Sequence, residues 1–362
     1  MNIKFIMRFH DNTPSGGRKI VYEYMNYLVN KGNNISLCFV ANTSFKTRKY
    51  NHLLYIKYYL DYLKRKKGQS QIDWFKLNSK IKIETRFSID SSIADTDNQI
   101  IFAFDYGIAL SIYDHLTNIR NCVYMIQHDE RVYYDKNVIR QAWRLPMKKI
   151  VISTWLYKLV NSVDPGNVIL VKNYVDLDTF YLTKPIEQRM KTVSLISHPN
   201  PYKGTKVGRE ALSLVKEQVP ELRVIMFGTQ PSPTDLPDYY EYYQMANESI
   251  LREKVYNQSS VYLLPSVLEG WGLTATEAMS CGCALVSTKN GGVEDFGVDN
   301  YSALLCDVNN TKDISKKIIS LLNDSSFRVK IANNGLEMVK SMNFLDSAQL
   351  FENVLYEINH SH

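Results

Sequence analysis

Two carboxylates eight positions apart, Glu269 and Glu277, bracket the run Glu-Gly-Trp-Gly-Leu-Thr-Ala-Thr-Glu, which leads on into Ala-Met-Ser-Cys-Gly. The apolar stretch Val261 to Leu264 reads as a strand ahead of it. Glu269 then falls on a glycine-rich loop, and Glu277 about a turn inside the following helix. A helix N-terminus presents unpaired N–H groups and a positive dipole end, and carboxylates accept hydrogen bonds from vicinal hydroxyls. Such a pair can grip polyhydroxy groups at the two ends of a phosphate-linked ligand. Alone, Glu277 is equally what the macrodipole favours early in any helix. A cation occupies a similar place earlier in the chain, in Ser197-His198-Pro-Asn-Pro-Tyr-Lys203-Gly204, which ends a strand and opens a helix near Thr205. From there Lys203 can neutralise a diphosphate and His198 can hydrogen-bond the same group, although a solvated Lys-Gly turn has the same sequence. The third constellation is Pro14-Ser15-Gly16-Gly17-Arg18, after the first apolar run. Its glycines allow close backbone approach to an anion at a helix start, or simply make a turn. The glycine spacing fits neither a dinucleotide fingerprint nor a P-loop.

The elements that position these residues follow from periodicity. Short apolar runs alternate with longer helix-like stretches, the pattern of stacked βα units around parallel sheets. The expected strands are 3–8, 36–40, 81–85, 100–104, 122–127, 150–153 and 168–172 in the first half. In the second they are 193–197, 223–227, 261–264, 284–287 and 303–306. Both halves read as doubly wound α/β sheets. The join lies around Val175 to Lys191, and the expected domains span 1–174 and 175–340. A closing helix over 341–362 is expected to pack back toward the N-terminal domain. Two such sheets in tandem would face each other across a cleft at their carboxyl ends, where ligands bind.

Composition narrows the classes. The 362 residues are 45% hydrophobic and 22% charged, an ordinary globular balance and the length of two domains. No apolar run approaches the roughly 20 residues of a membrane span, and the start of the chain lacks a signal-peptide pattern. Five cysteines, with no second ligand pair near Cys281-Gly-Cys283, predict neither disulfides nor a metal centre. Residues 1–180 hold 26 Lys and Arg against 16 Asp and Glu. This basic half lacks any nucleic-acid motif and suits an anionic membrane surface or substrate.

The combination Glu269 to Glu277, followed by Ala284-Leu-Val-Ser-Thr-Lys-Asn-Gly-Gly-Val-Glu294, resembles the Glu-x7-Glu signature of retaining glycosyltransferase family 4, enzymes of GT-B fold. Gly16-Gly17, Asn173-Tyr-Val-Asp176 through Phe180, Lys203-Gly204 and Pro265-Ser266 extend the resemblance along the chain. The segments Tyr124-Met-Ile-Gln127-His128-Asp129-Glu130 and Leu145 to Leu156 look like a polysaccharide-building branch that includes bacterial rhamnosyltransferases. The resemblance implies a two-domain GT-B enzyme moving sugar from a nucleotide-sugar donor, dTDP-rhamnose or a UDP-hexose, to a saccharide or lipid-linked saccharide acceptor, with retention and with no metal or other cofactor. It implies that Glu269 contacts donor-sugar hydroxyls and that Glu277 holds the ribose. The backbone N–H groups of Gly270, Trp271, Gly272, Leu273 and Thr274 would meet sugar and diphosphate, with Lys203 on the diphosphate. Gly17, beside Gly16, would approach the phosphates, and His128 would face the donor sugar as general base or as an orienting hydrogen-bond partner. Where the family usually has Arg, five residues before the lysine, this chain has His198. Either His198 is protonated in the complex or another cation such as Arg18 supplies the charge. A sugar-nucleotide epimerase and a non-catalytic partner subunit are the alternative readings.

Two further segments carry expectations. Asp95-Thr96-Asp97 resembles a metal-binding Asp-x-Asp pair, but precedes a strand and reads as a solvated loop. Residues 50–67 interleave Leu, Ile and Tyr and end in Lys64-Arg65-Lys66-Lys67. They read either as a core-packing helix or as a peripheral membrane contact, the latter placing a cytoplasmic protein at the inner face of the cell membrane.

Overall fold

The computed structural model describes residues 1–9, 12–43, 52–67, 72–95 and 97–360. These group into two compact units: Met1–Ile152, Leu156–Lys172 and the chain from Ala348 onward form the first, and Ser153–Trp155 with Asn173–Ser347 form the second.

The first unit is built on seven parallel strands, β1 (Asn2–Arg8), β2 (Asn34–Val40), β3 (Lys82–Arg86), β4 (Ile100–Ala103), β5 (Cys122–Ile126), β6 (Lys148–Val151) and β7 (Val168–Leu170), in the order β3-β2-β1-β4-β5-β6-β7. The central strands are near-continuous apolar runs because helices cover both faces of a parallel sheet. β4 and β5 are buried throughout, and Phe5, Phe39, Phe102, Tyr124 and Trp143 fill the space around them. The closing helix Phe344–His360 stacks Phe351 on Tyr24 at 4.3 Å and against Phe102 at 5.8 Å.

The second unit has six parallel strands, β8 (Thr192–Ile196), β9 (Arg223–Gly228), β10 (Tyr240–Gln244), β11 (Val261–Leu264), β12 (Ala284–Thr288) and β13 (Ala303–Cys306), in the order β10-β9-β8-β11-β12-β13. Val193, Leu195, Leu212, Leu263, Val286 and Ile318 anchor its core. Twelve strands lie where the apolar runs place them, with ends shifted by at most a few residues. β10 is the addition. Tyr-Glu-Tyr-Tyr-Gln has no apolar run, and it forms a strand because an edge position buries one face at most. In each sheet the order reverses once, between β1 and β4 and between β8 and β11. Connections leave in opposite directions there and open a crevice at the strands' carboxyl ends.

Of the segments read for function, residues 50–51 and Thr96 lie outside the described residues. Asp95 accepts from the Asn98 amide at 2.9 Å and Asp97 from the Asn118 amide at 2.8 Å.

Candidate functional site

The reversal between β8 and β11 brings two loops of the second unit into contact. After β8, Asn200 caps the short turn Pro201–Lys203, accepting from the Tyr202 N–H at 3.0 Å, and Gly204 follows in the left-handed region at φ 67°. A side chain at Gly204 would put its Cβ 2.0 Å from the Pro265 carbonyl oxygen of the loop after β11, so only glycine fits. Val267 N–H donates to the Tyr202 carbonyl at 2.7 Å and closes the second strap between the loops.

That approach delivers Lys203 to Glu269. The ammonium donates to both carboxylate oxygens, at 2.9 and 2.8 Å, and Oε1 also accepts from Ser266 Oγ at 2.7 Å. Glu269 is buried and Lys203 partly exposed. A carboxylate offers about four lone-pair directions; three are used here, and one remains for a further donor such as a hydroxyl. The backbone of Glu269 is fixed as well, its N–H donating to the Asn290 carbonyl at 2.9 Å. Asn290 is itself buried, with its amide on Ser287 Oγ at 3.2 Å and its side-chain oxygen accepting from Val293 N–H at 3.1 Å.

The helix Leu273–Ser280 starts from Gly272 at φ 110°. Its opening N–H groups, those of Leu273 and Thr274, precede the first intrahelical bond, Ala275 N–H to the Gly272 carbonyl at 2.9 Å. Glu277 is partly exposed, and its Oε2 accepts from Tyr256 O–H at 3.0 Å. The Trp271 indole is buried against Phe296, with centroids 5.6 Å apart, so the ring anchors the loop from below. Gly270, Trp271 and Gly272 therefore offer backbone rather than side chain.

His198 is half-buried and takes a definite hydrogen-bonding role. Its Nδ1 accepts from the Asn200 N–H at 3.0 Å, which leaves Nε2–H as the ring's donor. Burial lowers its pKa from the ordinary value, as does the charge of Lys203, while Glu269 opposes them. Protonation would also set Nδ1–H against the Asn200 N–H. His198 is thus a neutral single donor here, not a substitute for a permanent cation. The unfolded chain binds this proton more readily than the folded protein. The linked stability is present in full above pH 6.5 and is lost as pH falls from 6.5 through the lowered folded value. Melting curves of wild type and His198→Asn between pH 5 and 7.5 should converge toward the acid end; parallel curves would refute the assignment.

Trp155, Thr154 and Asp295 complete the surroundings; the first two lie in the segment Leu145 to Leu156, but the sequence assigned none of the three a role. Trp155 Nε1–H donates to the Gly270 carbonyl at 3.2 Å, and its ring lies so close to Gly291 that a Cβ there would sit 2.8 Å from it. Thr154 donates to Asp295 through N–H at 2.7 Å and Oγ1 at 2.5 Å.

The other candidates lie in the first unit. Gly16 and Gly17 are the first two residues of the helix Gly16–Asn30, whose N-cap Ser15 makes no side-chain cap bond. A Cβ on Gly17 would meet Gln127 Oε1 at 2.8 Å, so this helix start abuts the end of β5. Arg18 follows in the same turn and is half-buried. His128 lies just beyond Gln127, its ring 5.3 Å from Tyr133 in an edge contact. Asp129 is held at both oxygens by the Arg131 guanidinium, at 2.8 and 2.7 Å. Glu130, fully enclosed with Tyr124 O–H and Tyr106 N–H as donors, has its pKa pushed up to about 8 by burial.

Cys281 and Cys283 serve the packing of the second unit: the Cys283 thiol donates to the Tyr256 carbonyl at 3.1 Å, and the buried Arg189 guanidinium reaches the Cys281 carbonyl. Among the described residues no group of three metal-ligating side chains converges, and no helix is long and apolar enough to cross a membrane.

Comparison with known proteins bears on both units. Residues 184–338 match the family described as glycosyl transferases group 1. A D-inositol 3-phosphate glycosyltransferase of Corynebacterium glutamicum is 24% identical over 174 residues, covering 44% of this chain and 41% of that protein. The chain spans about a tenth to about half the length of the curated relatives it matches. Sucrose-phosphate synthase of Thermosynechococcus elongatus superposes with a TM-score of 0.74 at 15% identity over 100% of both chains. Anabaena Alr3699/HepE, solved with UDP and glucose, does so at 0.72 and 14% over 99% of this chain and 100% of that one. The fold of the chain is therefore GT-B, and its residues 184–338 are similar to the glycosyl transferases group 1 family.

Proposed function

We propose that this chain transfers a sugar from a nucleotide-diphosphate sugar to a saccharide acceptor, with retention of configuration and without a metal. The observation that carries the reading is the Lys203–Glu269 pair at the β8/β11 reversal, one loop away from a helix start that bears Glu277. Those residues supply a cation, a hydroxyl acceptor, the opening N–H groups of a helix and a second carboxylate, the set a diphosphate flanked by two sugars calls for. HepE, a structure of like fold, was solved with UDP and with UDP-glucose, which supports a UDP-hexose over dTDP-rhamnose as the proposed donor. A lipid-linked saccharide in cell-surface polysaccharide assembly is the proposed acceptor. His128, Gly16, Gly17 and Arg18 of the first unit are proposed to serve the same reaction.

In the proposed step the bond from sugar C1 to the diphosphate oxygen breaks as the acceptor oxygen bonds to C1 on the same face. The acceptor's proton passes to the departing phosphate oxygen. Negative charge grows on that phosphate, where Lys203 and the N–H groups of Leu273 and Thr274 lower the barrier. His198 adds one neutral hydrogen bond. Glu269, already bonded to Lys203 and Ser266, keeps one acceptor site for a sugar hydroxyl and is too occupied to serve as nucleophile.

Calorimetric titration with UDP, dTDP, GDP and ADP tests the reading. UDP should bind best, and Glu277→Ala should weaken it through the lost ribose contact; binding of none of the four would end the proposal. Trp155→Phe keeps the ring on Gly291 and deletes the bond to the Gly270 carbonyl. It should raise the donor KM about 2–10-fold with kcat nearly constant, the scale of one neutral hydrogen bond. An unchanged KM would show that the loop holds its shape without Trp155.

A further inference from the structure

The helix His52–Lys67 turns an apolar stripe toward solvent. Ile56, Tyr59, Leu60 and Leu63 are 54%, 45%, 52% and 39% exposed. Their spacing of three and four residues puts them on one side of the helix. Lys57 and Lys64, also exposed, lie together along one flank of that stripe. The edge of the stripe holds the helix to the rest of the unit, where Phe87 receives the rings of the partly exposed Tyr59 at 5.4 Å and of Tyr62 at 5.8 Å. Apolar residues of a surface helix normally face the core, and here Ile56, Leu60 and Leu63 face out.

We infer that this stripe docks on an anionic lipid bilayer, Ile56, Leu60 and Leu63 entering the interfacial layer while Lys57 and Lys64 meet the headgroups. Charge selects this occupant. Residues 52–67 carry five Lys and Arg against one Asp, within a half-chain of 26 bases and 16 acids. A polybasic helix beside an anionic leaflet gains attraction with each base. Size argues the same way. Four partly exposed side chains offer on the order of 400 Å², half of the roughly 800 Å² per partner of a stable protein interface. A convex single-helix ridge needs no complementary groove in a lipid surface, and an amphipathic helix with bases along its polar side lies in that plane. The inference stands apart from the sugar-transfer reading, because vesicle binding is read directly.

The test is flotation of the full chain with phosphatidylcholine vesicles carrying 0 or about 30% phosphatidylserine, in low salt and in 0.5 M salt. Wild type should float with the anionic vesicles and stay behind with the neutral ones, and salt should release it. Lys57→Glu/Lys64→Glu should weaken binding at least tenfold, and Leu60→Glu/Leu63→Glu should abolish it, with melting temperatures unchanged in both. A conservative pair, Leu60→Ala/Leu63→Ala, should give an intermediate loss and guards against misfolding of the glutamate variant. Equal binding to neutral and anionic vesicles, or none to either, overturns the proposal. So does a wild-type dimer that the Leu60→Glu/Leu63→Glu change makes monomeric, since the stripe then belongs to a second copy.

Discussion

Lys203→Met should lower kcat/KM for sugar transfer by roughly 10²–10³-fold, the usual loss when one charge-stabilising group is removed from a developing oxyanion. It should also cost stability. Removing the ammonium leaves the buried Glu269 carboxylate with Ser266 Oγ at 2.7 Å as its side-chain donor in this loop. An under-satisfied buried acceptor costs about 1–3 kcal/mol, and in a domain of this size each kcal/mol lowers Tm by about 2–4 °C. The two effects separate in the double variant. Lys203→Met/Glu269→Gln removes the stranded charge while keeping an oxygen for Ser266, so Tm should recover most of the loss and activity should not. Kinetics and melting of the two singles and the double close the cycle. Full activity in Lys203→Met would remove the lysine from the chemistry, and an unrecovered Tm would show that the pair in the structure is not what the protein relies on.

Gly204→Ala should be the most damaging small substitution in the second unit. Two penalties coincide there: a left-handed φ of 67° and a Cβ 2.0 Å from the Pro265 carbonyl oxygen, a backbone atom that cannot swing aside. Together they amount to about 2–5 kcal/mol, combining the strain of an L-residue in that region with overpacking. Gly166→Ala isolates the first penalty, since Gly166 has φ 82° and nothing within 4 Å of its added Cβ. Unfolding free energies from urea titration should fall by about 1–2 kcal/mol for Gly166→Ala and clearly further for Gly204→Ala, with the midpoints falling in step. Because the shift at Gly204 would move Lys203 away from Glu269, nucleotide affinity should fall as well. Equal midpoints for the two variants would contradict the close approach of the loops.

The strands that position the site were legible for a physical reason. β4, β5, β11 and β12 are buried on both faces, so nearly every residue in them had to be apolar. β10 was not, because a half-exposed edge strand of tyrosines carries no such run. Within the site, Glu269, Glu277 and Lys203 could be picked out because they sit at strand-to-helix turns, which periodicity locates. Their connection to one another could not be read this way, as Lys203 and Glu269 are 66 residues apart in the chain. Trp155 and Asn290 were hidden for the same reason: their roles consist of bonds to the backbone of a loop, 115 residues away in the case of Trp155. Nor does a histidine's type reveal its tautomer. The neutral state of His198 depends on the Asn200 N–H, which only the folded turn directs at Nδ1. Residues 50–67 left core packing and membrane contact open, since both use the same apolar spacing; the structure shows that Ile56 and Leu60 do not pack in the core.

On the proposed reading, the Lys203–Glu269 pair means that the lysine already carries its own counter-ion. An arriving diphosphate does not meet a bare ammonium. It takes part of the lysine's attention from a carboxylate that stays within reach, so affinity reflects an exchange between two anions rather than the full pull of one cation. Free phosphate, with no sugar or base to add contacts elsewhere, has little to offer in that exchange and should be a poor inhibitor. The same tether works in reverse after transfer. On that reading, as the spent nucleotide loosens, Glu269 would reclaim the ammonium and help to shed the product, so that a group that holds charge in the transition state need not trap it afterwards.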